Sequence, residues 1–515
     1  METEGDTVTQ VIANHPMNPK LTDESIYRRR ISIVRDFALN TTTHGIPGIA
    51  RSRSIQNRLF WSLAFMTFAG AMLYFIIQAI RTYFDYPTQT TVSITSERIQ
   101  FFPALTICNA GGIRADAIFM PFSNYVGNFN STTTSDYLPV FNQADFIRLF
   151  FPKLINENGS IDQYVFTLNS MLIGCEYAGT PCSVKDFIEF DSFEYGRCYT
   201  FNAKTKNGSV RPNYDIDSTG KLILRLYLYA HQYVPYGVEG VAMMAMVHDN
   251  TQLPLIEKAG MALAPGFQHR LVYTKRDIFF LPPPYSTCTN DIPPVMKFMF
   301  EKYEGAEYAY SEDLCHILCA QAYIYEQCNC VNPAQWNARS ILLPGTNEII
   351  MAPLCNTSNI CFKQAIHDFD LTHSIRDRYC FNCLQQCSIT NFAVKSSLSI
   401  APPEWLIPDI RAFVENSSVP LPLDWSNRWS EYIHSSYLSL ELLAESSLIE
   451  TYTQTPTLKL VDLISNVGGQ TGLWIGISFL SLMELIEMLY RLIRFQIHLS
   501  RSVAIEDENQ NKPKQ

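Results

Sequence analysis

Leu463-Ile464-Ser465-Asn466-Val467-Gly468-Gly469-Gln470-Thr471-Gly472-Leu473-Trp474-Ile475-Gly476-Ile477-Ser478-Phe479-Leu480-Ser481-Leu482-Met483 carries no charge, yet four glycines interrupt it. A regular apolar helix offers an ion nothing, because its carbonyls bond internally. Non-helical backbone at membrane depth is tolerated only where it lines water or is covered by protein. Close helix packing through small residues is the plainer reading of the glycines. A second uncharged run, Leu59 to Ile80 (LFWSLAFMTFAGAMLYFIIQAI), is about 33 Å long at the helical rise of 1.5 Å per residue. Runs this long and apolar are rarely sheltered in a soluble core, so two membrane spans are expected.

The flanks orient them. Arg28, Arg29, Arg30, Arg35, Arg51, Arg53 and Arg58 precede the first span, and Arg491, Arg494 and Arg501 follow the second. Positive residues stay inside, so both termini are expected in the cytoplasm and the middle outside. The start METEGDTVTQ has no apolar core, so no cleavable signal peptide is expected. All 14 cysteines lie between the spans, from Cys108 to Cys387, as a disulfide framework in an oxidising compartment would. The glycosylation sequons at Asn130, Asn158, Asn207, Asn356 and Asn416 fall on the same side, whereas Asn40-Thr41-Thr42 falls inside and stays bare. The expected divisions are a cytoplasmic tail 1–58, a span 59–82, an extracellular domain 83–460, a span 461–490 and a cytoplasmic tail 491–515.

With 39 Lys+Arg against 49 Asp+Glu, a nucleic-acid partner is excluded as the main function. No G-x-S-x-G, H-E-x-x-H or P-loop is present, so enzyme chemistry has no foothold; no cofactor or resident metal is expected. Arg29-Arg30-Ile31-Ser32 fits a basophilic kinase, but a basic patch facing anionic lipid is the simpler use. Thr41 to Gly48 reads as a turn-rich loop, Pro282-Pro283-Pro284-Tyr285 as a rigid extended connection. Leu222 to Leu228 and Tyr437 to Leu442 read as alternating strands.

Cys315 and Cys319 lie four apart on one helical face. Cys380, Cys383 and Cys387 read as a second helical stripe. Antiparallel helices pair such stripes early with late, which gives Cys315–Cys383, Cys319–Cys380 and Cys288–Cys387. A zinc site on Cys328-x-Cys330 lacks a completing histidine.

The chain resembles the degenerin, epithelial sodium channel and acid-sensing ion channel superfamily. The resemblance rests on His44-Gly45, Phe102-Pro103-Ala104-Leu105-Thr106-Ile107-Cys108-Asn109, Val247-His248-Asp249, Pro265-Gly266, Leu281 to Cys288, the cysteine order, and Gly468 to Ser478 with Glu484 beyond. It implies a homotrimer, with hetero-subunits an option. Each subunit has two transmembrane helices and a disulfide-rich α/β extracellular domain of palm, ball, finger, thumb (about 288–387) and knuckle. It also implies Cys108–Cys198, Cys175–Cys182, Cys328–Cys361 and Cys330–Cys355. The implied activity is sodium passage in the plasma membrane, with amiloride-type blockers and membrane lipids as further partners.

By the same resemblance Gly476, Ile477 and Ser478 form the selectivity belt, with Ile477 standing where the family has a small alanine. Ser465 sits beside the gate, and Gly468, Gly469 and Gly472 belong to the pore helix. Glu484 and Glu487 become carboxylate rings; alone, each reads as an interfacial acid. His44-Gly45 forms a re-entrant loop, and Tyr86 and Tyr285 meet at the wrist. Acid-sensing members carry a histidine pair and an acidic pair where this chain has Pro87-Thr88 and Ser93-Ile94. Titratable groups are missing there, and the C-terminal tail has no PPxY. The expectation is therefore a channel opened by a short amidated neuropeptide, as in FMRFamide-gated relatives. Phe146 to Phe151 and Tyr227 to Tyr236 are the aromatic stretches available to it. Mechanical gating, a constitutively open pore, an ATP-gated trimer and an anchored adhesion receptor are the competing readings.

Overall fold

The structure, a computed structural model, describes residues 23–510 except 128–149, 207, 209, 214–219, 235–236, 304, 344 and 358. It divides into two compact units, Met1–Thr88 with Pro456–Gln515, and Gln89–Thr455.

In the first unit an amphipathic helix Asp23–Asn40 precedes a short helix Ile46–Arg51 and a 30-residue helix Ile55–Phe84. The turn expected over Thr41 to Gly48 ends early. Gly45 at φ 88° redirects the chain, and Pro47, pre-set for the first helical turn, starts a helix instead. Ser54 caps the long helix by accepting from the Asn57 N–H, a contact worth about 1 kcal/mol. The helix is long and apolar enough to cross a membrane, and it overruns the expected 59–82 at both ends. Leu460–Ile475 and Phe479–Gln510 make a bent pair, turned by 74° across the break between them. Of the four glycines, Gly468, Gly469 and Gly472 sit inside regular helix; only Gly476 lies in the break. The downstream helix runs on past residue 490 without a boundary.

The second unit packs two sheets around one core. In the eight-stranded sheet, Phe267–Phe279 pairs antiparallel with Ser388–Ile400 over its whole length. On its other edge it pairs parallel with Tyr437–Ala444 and then Leu448–Pro456. Leu222–Tyr227 alternates as expected, burying Leu222, Leu224 and Leu226. Tyr437–Ala444 does not alternate: as an inner strand it is buried on both faces. Glu441 is tolerated there because Lys221 reaches it at 2.9 Å. The five-stranded sheet runs Met261–Leu263, Met243–His248, Ala104–Asn109, Gly196–Phe201 and Phe187–Ser192. Tyr227 and Tyr229 are wholly buried between the sheets, so that aromatic stretch is core, not ligand surface. Phe146 to 149 and Tyr236 lie outside the described residues.

All fourteen cysteines are bridged: Cys108–Cys198, Cys175–Cys182, Cys288–Cys387, Cys315–Cys383, Cys319–Cys380, Cys328–Cys361 and Cys330–Cys355. Cys315 and Cys319 share the helix Glu312–Cys328, which Ser311 caps. The second stripe is not a helix. His373–Tyr379 ends just before Cys380, Cys383 follows in a turn, and Cys387 stands at a strand end. Residues 282–285 also depart from expectation: they form a tight turn, closed by the Tyr285 N–H on the Pro282 carbonyl at 3.2 Å.

Candidate functional site: the break in the second hydrophobic segment

Gly476 ends Leu460–Ile475 in a left-handed conformation, φ 69° and ψ 20°. Its N–H returns to the Gly472 carbonyl at 3.1 Å, and the Ile477 N–H returns to Thr471 at 3.2 Å. This is a left-handed (αL) helix stop, for which glycine is the default. Residues 476–478 have no helical structure, so the Gly476 and Ile477 carbonyls are free of the i→i+4 ladder, while that of Ser478 already accepts the Leu482 N–H at 3.1 Å. Ser481 rebuilds the next helix start. Its Oγ lies 3.1 Å from the Ser478 N–H and 3.4 Å from the Gly476 carbonyl, and it is buried.

The segment before the long helix Ile55–Phe84 seats on this break. The His44 N–H donates to the Ile475 carbonyl at 2.8 Å. A Cβ at Gly476 would lie 2.8 Å from three atoms of the His44 ring, so the glycine is required twice, for its φ and for the ring against it. Gly45 in turn faces Phe65, and Gly48 lies flat on Trp61, where a Cβ would meet the indole at 2.7 Å. Thr42 Oγ1 lies 2.7 Å from Ser481 Oγ. One Glu484 oxygen, Oε2, accepts from Thr41 Oγ1 at 2.9 Å and from the Thr42 N–H at 2.9 Å. Glu487 instead pairs with Arg491 at 2.5 Å, and Arg491 reaches Asp36 at 3.1 Å. Within one chain the two acids thus have different partners: Glu484 holds the loop, Glu487 the helix Asp23–Asn40 through Arg491.

Ser465, Gly468, Gly469 and Gly472 recur at three- and four-residue steps on one exposed face of the upstream helix, and nothing lies within 4 Å of a Cβ at any of these glycines. Trp474 projects from a different face of this helix and stacks between Phe68 and Phe75 of the first long helix, with its Nε1 donating to Gln470. No individual role at this site was read from sequence for Thr41, Thr42, Ser481 or Trp474. The signal for Ser481 was present: Ser478, Ser481, Glu484 and Glu487 repeat every third residue.

Tyr86 sits at φ 49° with its ring near Tyr83 and Phe84 in the first unit; Tyr285 follows the proline turn in the second. Asn158, Asn356 and Asn416 are exposed, while Asn130 and Asn207 lie outside the described residues. His248 is buried, bonded to Thr106 and to the Asp249 carbonyl, and burial pushes its pKa down to about 4. His316, Cys319 and Cys383 cluster, but both sulfurs belong to disulfides and offer no thiolate to a metal.

A family model described as amiloride-sensitive sodium channel matches residues 37–488. Acid-sensing ion channel 1A of Danio rerio is 25% identical over 481 residues, which covers 90% of this chain and 88% of that protein. Acid-sensing ion channel 1 of Gallus gallus is 27% identical over 507 residues, with 93% and 88% covered. Acid-sensing ion channel 2 of Homo sapiens is 24% identical over 486 residues, with 90% and 87% covered.

Proposed function

Because the chain belongs to the amiloride-sensitive sodium channel family, and is therefore a channel subunit and not an enzyme, we propose that three copies form a sodium-selective pore in the plasma membrane. Both termini are cytoplasmic, residues 59–82 and 461–490 span, and residues 83–460 are extracellular. The observation that carries this reading is the stop at Gly476 with the His44 loop seated on it. A helix that ends in mid-segment presents the Gly476 and Ile477 carbonyls and the Ser478 hydroxyl, and three copies would ring an ion with oxygen. The open face of Ser465, Gly468, Gly469 and Gly472 suits close approach between copies. Glu484 and Glu487 add negative charge near that ring, and amiloride-type blockers plug it from outside.

The opening stimulus is an extracellular ligand, a short amidated peptide. Pro87-Thr88 and Ser93-Ile94 cannot titrate, and His248 stays neutral at any physiological pH. Proton opening is the second reading, favoured by the acid-sensing relatives.

The test is voltage clamp of oocytes expressing this chain alone, with an amidated-peptide library and pH steps in parallel. Sodium current that amiloride blocks and a peptide evokes is expected. Proton-evoked current with no peptide response replaces the first stimulus with the second. A surface-expressed chain that conducts under no condition defeats the homomeric pore.

A further inference from the structure

The motif Arg29-Arg30-Ile31-Ser32 lies on the helix Asp23–Asn40, and both of its arginines are engaged by the helix Phe479–Gln510. The Arg29 guanidinium lies 5.7 Å from the centre of the Phe495 ring, and Arg30 Nη2 donates to Gln496 Oε1. Further along, Asp36 accepts from Arg491 Nη1 at 3.1 Å. Positions 29, 33 and 36 share one face by the helical period, and Ile33 lines a small cavity with Met488 of the opposite helix. Ser32 falls off that face. It is exposed, and among the described residues its hydroxyl has no hydrogen-bond partner. The serines on either side of Arg53 are occupied instead: Ser52 donates to the Gly48 carbonyl at 2.6 Å, and Ser54 accepts from the Asn57 N–H at 3.2 Å.

Arg29 and Arg30 stand three and two positions before Ser32. Acids in the groove of a basophilic kinase read that spacing on an extended substrate. The docked helix offers neither condition, because its backbone is helical and both guanidiniums are taken. The contacts that hide the motif are few and exposed, and such segments open locally at low cost. A phosphate on Ser32 would carry a charge of about −1.5 to −2 at pH 7. Arg28, Arg29 and Arg35 lie three or four positions from it, within reach on a helix. Charge-assisted bonds to the phosphate would then keep Arg29 away from Phe495.

We propose that Ser32 is a phosphorylation site that a basophilic kinase reaches only when the helix Asp23–Asn40 leaves Phe479–Gln510, so that the phosphate marks and prolongs the released state. The assignment rests on the cytoplasmic placement of residues 1–58 proposed above. In the transfer the γ-phosphorus of ATP gains a bond to Ser32 Oγ and loses its bond to the bridging oxygen. The hydroxyl proton passes to the base of the kinase, and ADP leaves.

The test incubates the full-length channel in lipid nanodiscs with ATP and the catalytic subunit of cyclic-AMP-dependent protein kinase, a basophilic enzyme, and locates phosphate by mass spectrometry. Incorporation at Ser32 is expected, absent in Ser32→Ala and slowed roughly ten-fold in Arg29→Ala, which removes one charge-assisted contact to the kinase. Phe495→Ala with Gln496→Ala frees both arginines without touching the motif. It should raise the initial rate about five-fold, the gain in released helix from losing one exposed cation–π contact and one hydrogen bond. No phosphate at Ser32, or phosphate confined to Ser52 and Ser54, overturns the site. A rate that Phe495→Ala with Gln496→Ala leaves unchanged overturns its dependence on release. Channels isolated from cells with the kinase stimulated should carry the same phosphate. Ser32 modified in nanodiscs but bare in those cells overturns the cytoplasmic placement, not the motif.

Discussion

Replacing Gly476 by alanine tests whether the seated loop and the helix stop form one device. The left-handed conformation at φ 69° costs a residue with a Cβ about 1–2 kcal/mol. The new methyl would also lie 2.8 Å from the His44 ring. The ring must leave, and the bond from the His44 N–H to the Ile475 carbonyl, worth about 1 kcal/mol, leaves with it. The strain weakens the stop whether or not the loop is docked, so the lost bond, about 1 kcal/mol, shifts the loop from docked to undocked by a factor of roughly 5, while stop and loop together lose about 2–3 kcal/mol. Surface expression should hold while the reversal potential in mixed sodium and potassium moves towards that of an unselective pore. His44→Ala removes the clash but not the φ strain, so the double variant should recover about 1 kcal/mol of the loss, a coupling the cycle isolates. An unchanged reversal potential in Gly476→Ala, or strict additivity with His44→Ala, refutes the reasoning.

Glu484→Ala should impair sodium preference more than Glu484→Gln, because glutamine keeps an acceptor for Thr41 and Thr42 while losing the charge that makes such bonds worth about 1.5–3 kcal/mol; equal effects in bi-ionic recordings would count against the clamp. Ser465→Phe places a ring on the open helix face and should leave standing sodium current that amiloride blocks, whereas normal closure at normal surface expression contradicts the gate assignment. Cys108→Ser with Cys198→Ser opens a loop of 90 residues and should destabilise the detergent-solubilised channel by roughly 4 kcal/mol; a comparable loss on opening the 7-residue loop of Cys175–Cys182 would contradict the loop-entropy account. His248 has a folded-state pKa of about 4 against an ordinary 6.5. Between those pH values the unfolded chain takes up a proton that the folded chain refuses, so stability present above pH 6.5 is lost as pH falls towards 4, on the order of 3 kcal/mol. Melting curves of His248→Gln should lose that slope.

The periodic features were the legible ones. Leu222, Leu224 and Leu226 alternate because their strand has one face in the core, and Cys315 and Cys319 share a face because a capped helix carries them. The nested order of the bridges needs only that the chain return antiparallel to that helix. It therefore does not depend on the second stripe being helical, and it is not: the chain leaves helix at Tyr379, one residue before Cys380. Tyr437–Ala444 was legible as a strand but not as a doubly buried one, since the parallel partner Phe267–Phe279 that covers its edge is remote in sequence.

The site divides in the same way. Four glycines in one apolar segment announce a break, and the resemblance pointed to Gly476, but composition alone does not place it, because glycine in a helix interior costs only about 1 kcal/mol relative to alanine and three of the four remain helical. What singles out Gly476 is a partner more than 430 positions upstream: a ring that excludes a Cβ, and a backbone N–H that takes up the carbonyl of Ile475. Glu484 shows the consequence. Read alone it is an interfacial acid, and read in threefold symmetry it is part of a ring. In the chain itself it is first the acceptor that fixes Thr41 and Thr42. On the pore reading proposed above, a carboxylate that both holds the loop and faces permeating ions links loop position to the field in the pore, so that a force on the helix Asp23–Asn40, which Asp36 ties to Arg491, would reach the proposed selectivity belt.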